Sequence, residues 1–514
     1  MWWQESRQHD PHSAYGRFQL PAFDAYVYVA MAERPRVFTV APWGYRVLAP
    51  AVVGLLGFRN VVRGFRIESF AAMAAAGAAL FAFLRRRGHA PWAAVLGVAL
   101  FGLSPPMARA VETPFFLEPM GILLLLALLG AIESGAGWGV FALLAALETL
   151  AKDGALVVSL VPAILVSRWS QGRPRALAAA AAAAAPALLL TSLLRAWWTP
   201  HIASVSAPLD LDTARAALGA LEEAWPATAL AALVGGLVPL AALGAWSPPG
   251  RAFLRRYGLS LALLVGMALV AWLKVPSREP VPLFGANFER LLVYAVPLLV
   301  PLALAAIDRL WPSVGSPAPP RRPRPQALPA VGAVLALMAP FLLVDRYRRI
   351  DLKGSRDGPL VLAVCRETWR TATRLAKGDT VAFTPESHRF AWGETDPGQL
   401  GHMRWFLREG WGERAHYGTG EIVMHEPSAS LLLPLWRPAE VEAVVRVAAR
   451  GTVLALAANG RVIDTWATGP DAPPHAVRLP AATLFRGDNV VTLSAPGGER
   501  SARLREVSYR VVAP

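Results

Sequence analysis

The chain has 514 residues, 54% hydrophobic and 17% charged, with a mean hydropathy of +0.39 and a net charge of +15. Soluble domains carry about 25% charged residues, which excludes an ordinary soluble globule and points to a polytopic membrane protein. The basic residues stand in short clusters between apolar runs, not along one face interleaved with aromatics, which excludes nucleic acid as a partner.

The single cysteine, Cys365, rules out an intrachain disulfide. Residues 1–36 are polar and aromatic and lack the basic and apolar regions of a signal peptide. Residues 37–58 are apolar but hold Pro42, Arg46 and Pro50, the pattern of an interfacial or re-entrant piece. About ten spans are predicted, at 66–84, 90–104, 115–132, 138–151, 155–166, 175–197, 227–246, 256–273, 286–310 and 328–344. Several fall short of the roughly 20 residues a perpendicular helix needs, and 138–166 reads as a broken hairpin.

If every span crosses, Arg85 to Arg87, then Arg168, Arg173 and Arg175, then Arg251, Arg255 and Arg256, then Arg309 and Arg321 share one side. The positive-inside rule makes that side cytoplasmic. The other side receives Glu112, Glu118 and the 274–290 loop, together with residues 1–65 and everything after 345. A Pro-rich basic linker runs from Pro312 to Pro329. Beyond it, residues 346–427 read as an α/β connector, with strands at 360–364 and 381–383 and an amphipathic helix at 367–377. Residues 428–514 alternate apolar and polar between turn signals, which predicts a β-sandwich of jelly-roll type. Asn459-Gly460 marks a two-residue hairpin turn. The domains expected are therefore 1–65, a first loop with interfacial helices; 66–345, the transmembrane part; 346–427, the connector; and 428–514, the sandwich.

Ionisable residues at membrane depth are costly unless they face a partner or a wet cavity, so they are functional candidates. Glu112 stands just ahead of one apolar helix, and Lys152-Asp153-Gly154 interrupts a later run. Lys152 and Asp153 either pair with each other at a helix end or reach a ligand. His201 lies beside Trp197 and Trp198 in a loop of interfacial character.

The segments FDAYVYVAMAERP (23–35) with APWGYRVLAP (41–50), VETPFFLEPMGILLLLAL (111–128) with GWGVFALLAALETLAKDGALVVSLVP (137–162), and FERLLVYAVPLLVPLALAAID (288–308) resemble stretches of the GT-C superfamily of integral-membrane glycosyltransferases. The likeness is to the branch with protein mannosyltransferases and aminoarabinose transferases. Within them, the first loop has one acidic residue, Asp24, where that family has a pair, and the lysine motif lacks its proline. The resemblance implies a GT-C-like fold in a bacterial inner membrane, with the catalytic face and C-terminal domain extracytoplasmic, and a first helix upstream of residue 1. It implies transfer of a sugar from a polyprenyl-phosphate donor to a glycan, lipid or protein acceptor.

On that reading Asp24 takes the acceptor's proton and Glu112 orients an acceptor or a cation. Lys152, Arg46 and Arg290 meet the donor phosphate, while Tyr26, Tyr28, Asp153, Glu289 and His201 line the substrate. A divalent cation is left open as a cofactor and no other is implied. The strand spacing of the C-terminal region is similar to that of galactose-binding-like modules. The competing expectations are a transporter or flippase of lipid-linked sugars, and a non-catalytic envelope protein that binds glycan through its sandwich.

Overall fold

The computed structural model describes residues 23–34, 43–57, 61–104, 106–107, 117–195, 237–273, 291–310, 368–383, 422–424, 426–449, 452–495 and 502–513. It divides into two units. One takes Met1–Gln4, Tyr45–Leu194 and Val205–Asp351; the other takes Glu5–Gly44, Arg195–Ser204 and Leu352–Pro514, so that a segment near the start folds with the C-terminal region.

Eleven helices are labelled here: α1 Phe23–Glu33, α2 Leu48–Leu55, α3 Val61–Arg86, α4 Pro91–Gly102, α5 Glu118–Ser134, α6 Trp138–Ala151, α7 Gly154–Arg168, α8 Arg173–Leu193, α9 Leu237–Ala245, α10 Pro248–Leu273 and α11 Val296–Leu310. All but α1 belong to the first unit. Among the described residues four helical stretches are long and apolar enough to cross a membrane: Arg63–Arg86, Gly154–Gln171, Arg173–Leu193 and Pro248–Val270. α2 has eight residues, about 12 Å at the helical rise, and leaves Leu55 and Leu56 exposed; it is too short to span.

α5 is apolar nearly all round and sits in the middle of the helices, with Ile122, Leu125, Leu126, Leu128 and Leu129 fully buried. α6 and α7 form an antiparallel hairpin. Arg168 at the end of α7 returns to the start of α6, donating to the Ala136 carbonyl at 2.5 Å and lying over the Phe141 ring. α9 crosses α11 in backbone contact, because a Cβ at Gly244 would stand 1.7 Å from the Leu302 carbonyl oxygen.

The contacts also sort the helix termini. The end of α3 meets the end of α5 where Arg86 donates to the Gly130 carbonyl and Arg87 pairs with Glu133. The start of α10 joins them through Arg256 and Tyr257, both bonded to Glu133. Asp308, near the end of α11, shares a cavity with Arg87 and His89. The arginine clusters at 85–87, 168–175, 251–256 and 309 are thus gathered at one end of the helices, which we call the basic end.

The second unit holds two antiparallel sheets. Strands β1 Val381–Phe383, β2 Ile422–Val423, β4 Glu440–Ala448, β7 His475–Leu479 and β9 Arg503–Ala513 form one; β3 Ser428–Leu435, β5 Thr452–Ala458, β6 Arg461–Thr468 and β8 Gly487–Ser494 form the other. Their orders are β2-β9-β4-β7 and β3-β8-β5-β6, with β1 also on β9. From β2 onward the chain changes sheet at every connection except the β5–β6 hairpin, which is the jelly-roll arrangement. One buried cluster, including Leu433, Val445, Leu456, Leu493 and Val507, draws on both sheets.

The hairpin turns at Asn459-Gly460 with φ of 50° and 81°, and Ala458 pairs with Arg461, as a two-residue turn with both central residues left-handed requires. Asn489 is fully buried yet satisfied, donating to the Leu433, Phe485 and Gly487 carbonyls. The connector expected at 346–427 is no separate body where it is described, because β1 and β2 are strands of the sandwich. Helical residues 368–376 present Trp369 edge-on to Trp436, and the Arg34 guanidinium at the end of α1 lies 4.5 Å over the Trp369 ring.

Candidate functional site

At the end of the helices away from the arginines, α6 stops at Lys152, and Asp153 caps α7 by accepting from the Ala155 amide at 3.0 Å. Asp153 is exposed and serves the helix. Lys152 does not pair with its neighbour. Its ammonium bonds to Glu118 Oε1, at the start of α5, with side-chain exposures of 5% and 1%. One helical turn before Lys152, Glu148 is completely buried, and neither carboxylate oxygen accepts a hydrogen bond from the described residues. A buried carboxyl group without hydrogen bonds is costly.

Gly121, one turn after Glu118 on α5, leaves the space in which these groups meet Tyr294. A Cβ there would stand 2.9 Å from the Tyr294 hydroxyl and 3.4 Å from Glu148 Oε1. Three segments far apart in sequence therefore converge: α5 brings Glu118, α6 brings Glu148 and Lys152, and the turn before α11 brings Tyr294. The cluster offers a cation held by one carboxylate, a second carboxylate and a phenol. That set suits proton transfer and recognition of an anion or hydroxyl. It does not suit a divalent cation, because the ammonium competes for the carboxylate, and among the described residues no three His, Cys, Asp or Glu side chains form a metal-binding group.

Of the residues singled out from the sequence, Lys152 is in this cluster and Asp153 beside it. Arg46 is half-buried just ahead of α2 in the same unit. Tyr28 is buried on α1 in the other unit, and Asp24 and Tyr26 lie on the same helix. Glu112, His201, Glu289 and Arg290 lie outside the described residues. Glu118 marks only the side of the membrane in the sequence, and Glu148 and Tyr294 are not among its candidate site residues. Glu148 carried a usable signal, an acidic residue four before a lysine inside an apolar helix, which puts both on one helix face. Compared with models of protein families, with curated proteins and with solved structures, the chain matches none.

Proposed function

We propose that the chain is a multi-pass glycosyltransferase of a bacterial inner membrane, moving a sugar from a polyprenyl-phosphate donor to an extracytoplasmic glycan, lipid or protein. The observation that carries this reading is the convergence of Glu118, Glu148, Lys152 and Tyr294 at the end opposite the arginines. These four residues come from the 111–128, 137–162 and 288–308 segments, the ones that resemble GT-C enzymes outside the first loop. The positive-inside rule makes the basic end cytoplasmic, so the cluster faces the outer side. α1 and the sheets fold as one unit, which supports placing both chain regions on one side of the membrane.

In the proposed reaction the acceptor oxygen attacks the anomeric carbon while the sugar–phosphate C–O bond breaks and the polyprenyl phosphate departs. The acceptor's proton passes to a carboxylate, with Asp24 as the base and Glu112 orienting the acceptor. Arg46, Arg290 and Lys152 meet the leaving phosphate; Lys152 is held in place by Glu118 until then. Tyr26, Tyr28, Glu289 and His201 line the substrate.

A transfer assay with the purified full chain and a labelled lipid-linked sugar tests this. Turnover that vanishes in Lys152→Met and Asp24→Asn supports the reading. Full turnover in Asp24→Asn removes the base, and full turnover in Lys152→Met removes the phosphate site. A second reading, transport of lipid-linked sugars, draws on Glu148, since membrane-buried acids without fixed partners also mark transport pathways. It predicts movement of a labelled lipid-linked sugar across proteoliposomes with no transfer.

A further inference from the structure

The basic end carries a second kind of residue that its function as a topology signal does not explain. Among the described residues Trp92, Trp138, Trp169 and Trp246 are exposed, and the contacts bring all four to this end. Trp92 lines the cavity with Arg87, His89 and Asp308. Trp138 opens α6 immediately after the turn that Arg168 holds, and Trp169 follows Arg168 itself. Trp246 lies in the turn before α10, where the Arg251 amide bonds to the Ser247 carbonyl.

Around them Arg173, Arg175, Arg251, Arg255 and Arg309 are exposed. This distinguishes them from Arg87 and Arg256, which are taken up by Glu133. One exposed pair is already stacked, with the Arg173 guanidinium 5.6 Å from the Trp169 ring centre. Indoles prefer the headgroup level of a bilayer, and surface arginines add attraction to an anionic leaflet that falls off within a Debye length.

We infer that this end of the helices is a collar for acidic phospholipids, whose phosphates and anionic headgroups sit on Arg173, Arg175, Arg251 and Arg255 while the four indoles seat at headgroup depth. The occupant is the leaflet lipid and not a soluble anion, because this end exposes indoles beside its arginines, Trp169 next to Arg173 among them, and a soluble phosphate would leave those indoles in water. The collar depends on membrane insertion and not on the transferase reading, so a chain without transfer activity leaves it standing.

The test uses the full chain in an uncharged detergent, titrated with phosphatidylglycerol, phosphatidylcholine or inorganic phosphate, with thermal unfolding as readout. Phosphatidylglycerol is expected to raise Tm by roughly 2–4 °C more than phosphatidylcholine, with no response to inorganic phosphate. The quadruple variant R173Q/R175Q/R251Q/R255Q is expected to lose that excess, and R173K/R175K/R251K/R255K to keep it. A parallel measurement on the wild-type chain alone, the ratio of phosphatidylglycerol to phosphatidylcholine retained after purification from an equimolar mixture, stands whether or not the variants fold; enrichment of the acidic lipid is expected. Equal response to the two lipids, an equal response to inorganic phosphate, an undiminished excess in the folded quadruple glutamine variant, or no enrichment of the acidic lipid would overturn the collar.

Discussion

The two ends of the helical unit each bury acidic residues, and they treat them differently. At the basic end Glu133 takes bonds from Arg87 at 2.7 Å, Arg256 at 3.2 Å and Tyr257 at 2.6 Å, tying α3, α5 and α10 together. At the other end Glu118 holds Lys152 while Glu148, a turn away from the lysine, accepts no hydrogen bond from the described residues. A carboxylate bonded by three groups closes a structure; one that accepts no bond stores the capacity to bind or to exchange protons. The comparison teaches that charge count does not separate structural from functional acids, whereas satisfaction does.

The largest effect should come from the satisfied end. Glu133→Ala removes three hydrogen bonds to a charged group from a part-buried network, each worth about 1.5 kcal/mol; a fall of about 4 kcal/mol in the unfolding free energy is expected. A loss below about 1 kcal/mol would show that the network is only decorative.

At the other end Lys152→Met should cost somewhat less, roughly 3 kcal/mol, because it breaks the one buried pair with Glu118 from one side. Adding Glu118→Leu should recover most of it, since apolar replacements of similar volume substitute for buried pairs, while transfer stays lost. A double variant as unstable as the single one would mean that the pair is not coupled.

Gly121→Ala follows, with a methyl 2.9 Å from the Tyr294 hydroxyl. Overpacking of this kind costs about 1–3 kcal/mol, and transfer should fall with it because the added group occupies the space between Tyr294 and Glu148. Glu148→Leu sharpens the comparison most directly: no loss of stability, or a gain of about 1 kcal/mol, with loss of transfer or transport. If stability falls by several kcal/mol instead, Glu148 is structural and the contrast between the ends collapses.

The narrowest effect is a pH dependence at the basic end, confined to acid. Burial, reinforced by Arg87, lowers the His89 pKa to about 4 from its ordinary 6.5. The folded chain therefore takes up this proton less readily than the unfolded one. Its contribution is complete above about pH 6.5 and is lost as pH falls towards 4. His89→Gln should flatten the unfolding profile over that window alone, and an unchanged profile would discount the half-buried imidazole.

What the sequence determined by itself was whatever depends on local periodicity and local chemistry. The alternation of strands from 428 onward, the Asn459-Gly460 hairpin, the break at Lys152-Asp153 and the grouping of the arginines by parity were all legible, because a strand's alternation, a left-handed turn and a charge inside an apolar run are written within a few residues. Tertiary structure alone decided which acid meets Lys152, since Glu118 lies 34 residues away and the neighbouring Asp153 was equally available on paper. It also decided that Glu148 lies beside Tyr294 with no hydrogen bond from the described residues, and that α1 belongs with the sheets through Arg34 and Trp369 instead of with the helix that follows it. Such pairings are chosen by which faces the packed helices and sheets bring together, and burial then sets their worth, neither of which is encoded in spacing along the chain.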